Sequence, residues 1–176
     1  MSAIGTRLTE LGIQLPDPPA PAGNYVRTVT AGELLFTSGH GPKPDPERQF
    51  IGKVGTDIDD ETARRAARHA MLACLASLRH DLGDLDRIAH IVKLFGMVNS
   101  APGFDRQPRV LDGASDLLVD LFGDRGRPAR SAEQWLARST LAFSPTDHLS
   151  KGSVRSVNAV LRVAGTANAG QGRLCA

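Results

Sequence analysis

The sequence predicts an α+β domain, on three observations. Two short apolar runs flank a glycine-bearing turn and read as a hairpin; two longer segments carry apolar residues at helical spacing; and a β-rich, almost unbroken apolar run lies between those two segments. At 176 residues the chain suits one domain, and 41% apolar residues are enough for a sizeable core. Aromatics are only 5%, so that core has to be built from Ala, Val, Leu and Ile.

The elements follow in order. Residues Ser2 to Leu15 suit a short amphipathic helix with Leu8, Leu11 and Leu15 apolar. Four prolines between Pro16 and Gly23 cannot continue it, because proline lacks the amide donor and clashes with the preceding turn, so this stretch is a stiff connector. Tyr25–Val29 and Leu34–Thr37 are the hairpin strands, and Gly39 to Phe50 is a loop. The clearest helix runs from Asp60 to Leu82. Ala63, Ala67, Ala70, Cys74, Leu78 and Leu82 form its inner stripe, with Asp59 or Asp60 as cap and Gly83 as terminator. Such small residues imply close packing on a sheet. Ile88 to Val98 fits a strand buried on both faces. A second helix, about Pro108 to Phe122, sets an apolar face against Asp112, Asp116 and Asp120, and a further strand begins near Ala129.

Several function classes are disfavoured. The formal net charge of +2 offers no bulk attraction to nucleic acid or membranes. Cys74 and Cys175 form no disulfide framework, the N-terminus has no signal-peptide run, and no window approaches a membrane span. A reducing cytoplasm is the expected compartment. There is no Walker loop, GxGxxG, GxSxG or zinc spacing, and the five histidines share no ligand pattern, so no metal is expected.

Two stretches can carry chemistry. In the run from Leu34 to Pro42 a strand ends in the Ser38 hydroxyl and is followed by Gly39 and Gly41, which leave amides open to a ligand. In the run from Gly126 to Ala132, Arg130 lies just inside a strand, where a guanidinium can grip a carboxylate with two prongs. A strand end turning into a loop, and an arginine on an exposed strand face, explain the same residues without function.

Taken together and in order, Asn24-Tyr25-Val26, Leu34 to Gly39, Gly52-Lys53-Val54-Gly55 and Arg127-Pro128-Ala129-Arg130-Ser131 resemble the blocks of the RidA (YjgF/L-PSP) family. The run from Val98 to Phe104, with Gly113 to Leu117, resembles a longer bacterial subgroup. The likeness spans about residues 6 to 132. It implies a chorismate-mutase-like α+β fold, a mixed sheet covered by two helices, in homotrimers with ligand clefts between subunits. It implies hydrolysis of enamines and imines such as 2-aminoacrylate to keto acids and ammonia, with no metal or cofactor. It places Tyr25, Ser38 and Arg130 on the family's tyrosine, serine and carboxylate-binding arginine, and Gly39 and Ala132 on positions that give backbone contacts to a small carboxylate-bearing metabolite.

The pattern breaks after Ala132. The expected organisation is a helix and connector at 1–23, a RidA-like domain at 24–132 and a departing tail at 133–176, either divergent or reading-frame shifted. From Glu133 onward there are five basic residues against two acids, and no glutamate follows Glu133. The resemblance implies a last strand with a functional glutamate; Val157 to Val163, later than the family spacing, is the run that could replace that strand, with Asn158 where the acid would be. The alternatives to a deaminase are a carboxylate-binding or regulatory module without turnover, and the ribonuclease of the L-PSP name. The absence of a basic stripe and the scarcity of aromatics argue against the ribonuclease.

Overall fold

A computed structural model describes residues 2–42, 50–135 and 152–164 of the chain. Three helices, α1 (Ala3–Glu10), α2 (Asp60–Leu82) and α3 (Gln107–Phe122), accompany five strands. These are β1 (Thr28–Ala31), β2 (Leu34–Thr37), β3 (Ile88–Asn99), β4 (Ala129–Trp135) and β5 (Val154–Val163). They form one mixed sheet in the order β1-β2-β5-β3-β4, with only β3 and β4 parallel. The expected α+β architecture, a mixed sheet with two covering helices, is the one observed.

The helices end where local chemistry ends them. Asp59 accepts the Thr62 amide at the start of α2, and Gly83, at φ +79°, takes the left-handed turn that closes it. The small stripe of α2 is buried, and α2 packs against α3 so closely that a Cβ on Gly113 would overlap the Arg64 carbonyl. Leu111 of α3 fills the space above Gly96 of β3. The first helix is shorter than expected. It stops at Glu10 because Leu11 caps it and Gly12 turns at φ +63°. Ile4 and Leu8 are nonetheless buried, and the Asp86 carboxylate accepts from the amides of Ala3 and Ile4, which docks α1 on the body. The first hairpin strand also begins three residues later than expected, at Thr28, because Tyr25 and Val26 are exposed and belong to the connector's approach.

The strand β5 lies in the middle of the sheet, between β2 and β3. Val154, Val157, Ala159, Leu161 and Val163 are buried on it. The rest of the tail, with Cys175, lies outside the described residues.

The two long helices cover one face of the sheet. On the other, pairing register puts Val29, Leu34, Phe36, Val160 and Phe95 together, and Val29 and Phe36 are 55% and 42% exposed. At the β4 edge of this face the Arg155 guanidinium stacks over Trp135.

Candidate functional site

Tyr25, Ser38 and Gly39 meet at one cavity of about 390 Å³, within the usual size for small ligands. Ser38 directly follows β2, and its amide donates to the Arg27 carbonyl while its hydroxyl donates to that of Val26 at 2.6 Å. With its proton committed, the Ser38 oxygen is left as an acceptor. The Tyr25 ring is half exposed, and its hydroxyl accepts from the Ala22 amide in the connector. The proline connector is therefore a wall of the cavity as well as a link. Gly39 cannot carry a side chain without displacing Ser156 of β5, since a Cβ there would overlap the Ser156 hydroxyl.

His40 holds this segment down. Its amide and carbonyl both bond to Val157 of β5, and its ring Nδ1 lies 2.8 Å from the Ser38 carbonyl. Only an N–H can satisfy a carbonyl, so Nδ1 carries the proton and Nε2 accepts from the Ser77 hydroxyl of α2, also at 2.8 Å. Burial pushes the His40 pKa below its ordinary value, with the Arg27 charge acting the same way against the Ser38 hydrogen bond and Asp81. Sequence reading passed over His40 as an ordinary histidine; the signal was its place two residues after the strand-end serine. Arg27 was also missed. Its Nη2 lies 3.2 Å from His80 and 3.5 Å from Asp81 on α2, while its Nε is buried without a partner. Burial alone would raise the Asp81 carboxyl, but hydrogen bonds from Thr28 and His80, with the Arg27 charge, hold it below the usual value.

Arg130 stands elsewhere. Register aligns it through Leu94 and Ala159 with Thr37, whose hydroxyl accepts the Ala159 amide, so three inter-strand gaps separate it from the end of β2. At typical strand spacing that is about 14 Å of backbone separation. Tyr25, Ser38 and Gly39 are thus brought together and Arg130 is not. The arginine sits at the β4 edge on the helix-covered side, where its Nη1 donates to Asp112 at 2.6 Å and to Ser115 at 2.9 Å, both on α3. It opens on a shallow pocket of about 230 Å³. Ala132, two residues on, shares this side and packs against the core beside Gly96. Asn158 falls on the opposite, open side, paired with Phe95, which in turn pairs with Ser131.

A larger open groove between α2 and α3 carries Arg64, Arg65, Arg68 and Arg127, interleaved with Asp116 and Asp120. Arg64 is hydrogen-bonded to Asp116, so the groove is a mixed-charge surface. Among the described residues, no group of three or more His, Cys, Asp or Glu could hold a metal ion, and no helix is long and apolar enough to cross a membrane. Cys74 is buried against Thr37, and burial pushes its thiol up to about 12, which leaves it inert as a nucleophile.

Residues 5–139 match the family described as "YjgF/chorismate mutase-like, putative endoribonuclease". The chain is 42% identical over 130 residues to Protein TCP17 of Trypanosoma cruzi, covering 73% of this chain and 81% of that protein. Among solved structures, an endoribonuclease-class protein (assigned as "putative") from Shewanella oneidensis MR-1 is 30% identical. It has a TM-score of 0.79 and covers 92% of this chain and all of its own. A protein of unknown function from Agrobacterium tumefaciens is 35% identical, with a TM-score of 0.73 and 92% of each chain covered. Both structural likenesses therefore continue past residue 132.

Proposed function

Because the chain belongs to the YjgF/RidA family, we propose that it hydrolyses small 2-imino acids and their enamine tautomers, of the 2-aminoacrylate type, to 2-oxo acids and ammonia. The observation that carries this reading is the division of the site. A cavity with Tyr25, Ser38 and Gly39 lies toward one side of the sheet, and an arginine suited to a carboxylate lies at the opposite edge. A second copy of the chain would bring the two halves together, and the exposed apolar face of the sheet supports assembly into the family's trimer.

In this reading Arg130 of one copy grips the substrate carboxylate, and Tyr25 and Ser38 of its neighbour orient a water toward the imine carbon. The water oxygen bonds to C2, the C2–N bond breaks, ammonia leaves and the carbonyl forms. No cofactor is required, because the imine is already electrophilic and placement of the water supplies most of the acceleration. The setting proposed for this chemistry is the cytoplasm.

Asn158 favours a second reading, a carboxylate-binding module with little turnover. An amide cannot take up or release a proton, and general acid–base assistance is typically worth about a hundred- to ten-thousand-fold. One assay separates the two. Decay of 2-aminoacrylate is followed with the native chain, Arg130→Ala and Asn158→Glu. The deaminase reading expects clear turnover that vanishes in Arg130→Ala. The binding reading expects weak turnover that rises in Asn158→Glu. Ribonuclease activity has less support, since the arginines of the groove between α2 and α3 are interleaved with acids and aromatic stacking platforms are scarce.

A further inference from the structure

We infer that Asp112 and Ser115 of α3 are positioning residues that decide which edge of Arg130 meets a ligand, and that the Asp112 charge makes the site favour singly charged carboxylates over doubly charged anions. The inference rests on the carboxylate-binding role proposed for Arg130.

A guanidinium offers five N–H donors arranged as forks. One fork uses both terminal nitrogens, and another uses Nε with Nη2. Arg130 has both protons of Nη1 spoken for, one by Asp112 Oδ1 at 2.6 Å and one by Ser115 Oγ at 2.9 Å. The end-on fork is thereby closed. Among the described residues nothing accepts from Nε or Nη2, so the side-on fork is the one left for a ligand.

The donor directions agree with this arrangement. The Ser115 hydroxyl lies 3.2 Å from the Leu111 carbonyl and 3.4 Å from that of Asp112, so its proton goes back into the helix. Its lone pair is then free to accept from Arg130. Asp112 and Ser115 are three residues apart and share one face of α3, above the start of β4. The Asp112 carboxylate also cancels part of the charge on Arg130. Both groups are partly exposed, at 41% and 28%, so the cancellation is screened yet still lowers the pull on anions in general. A carboxylate and a sulfate can each accept two parallel N–H bonds, so the fork orients both. The difference is charge: the doubly charged sulfate is repelled more by the Asp112 carboxylate than a singly charged carboxylate is.

The test compares pyruvate and sulfate binding by calorimetry in the native chain, Asp112→Ala, Asp112→Asn and Ser115→Ala. In Asp112→Ala the pyruvate-to-sulfate affinity ratio should fall by about fivefold, the effect of a screened charge, because sulfate gains more from its removal. Asp112→Asn keeps an acceptor for Nη1 but removes the charge, so it should lower the ratio as Asp112→Ala does, and it serves alone should Asp112→Ala not fold. Ser115→Ala changes no charge and should weaken both anions with the ratio kept. A merely structural role for Asp112 would leave the ratio unchanged in its two variants as well; that result overturns the inference. A native chain that binds no pyruvate overturns the carboxylate-binding reading and this inference with it.

Discussion

Burial leaves His40 one workable protonation state. A second ring proton would sever the bond from Ser77 and place a charge in the core beside Arg27. Its pKa is therefore lower in the folded chain than in the unfolded one, and the unfolded state binds the extra proton first. The stability this histidine contributes is complete above its ordinary value near 6.5 and is lost as pH falls below that value toward the folded one. The expected slope is at most about 1.4 kcal/mol per pH unit. Thermal unfolding from pH 7.5 to 4.5 should show this component in the native chain and lack it in His40→Asn. Gly39 makes a second residue-level prediction. Gly39→Ala should cost about 1–3 kcal/mol, typical of overpacking, because the new methyl meets Ser156. Pairing it with Ser156→Gly should recover much of that loss in chemical denaturation.

The helices were the most legible elements. Asp59 and Gly83 announce the ends of α2 from sequence, and its small stripe predicts the close packing that Gly113 and Arg64 realise against α3. Gly113→Ala should destabilise more than Gly39→Ala. It presses on a backbone carbonyl that cannot rotate away, whereas Ser156 can. The strand β3 was legible as one apolar run, but the expected burial on both faces is not observed: Ile88, Ile91, Leu94 and Val98 are buried under the helices, whereas Val92 is exposed and Phe95 lies on the bare face. Other features were hidden because they are non-local. Arg130 meets Asp112, eighteen positions away, only through the register of α3 over β4. The connector meets Ser38 and Gly39 only because β1 and β2 fold back under it. The place of β5 was the hardest to read, because spacing from the last family-like block suggested a break. A chain ending at residue 135 would leave β2 and β3 without the strand between them, so it should lose cooperative unfolding and near-ultraviolet dichroism.

At the scale of the whole molecule, the proposed assembly would account for both an apolar sheet face and a divided site. Val29, Leu34 and Phe36 are exposed on the face that the helices leave bare, and the residues proposed to handle substrate lie on opposite parts of the sheet. Assembly would cover the face and complete the site together. Sedimentation at micromolar concentration should give a trimer, and Phe36→Asp should shift it toward the monomer by placing a charge on that face. The most direct test of a site shared between copies is subunit complementation. Arg130→Ala retains the cavity, and the Tyr25→Ala, Ser38→Ala double variant retains the arginine. Each alone should fail to bind pyruvate by calorimetry, whereas trimers co-assembled from both should recover a fraction of the native sites. If the native chain binds pyruvate and the mixed trimers recover none, the ligand is held within a single chain and the account of a shared site is wrong.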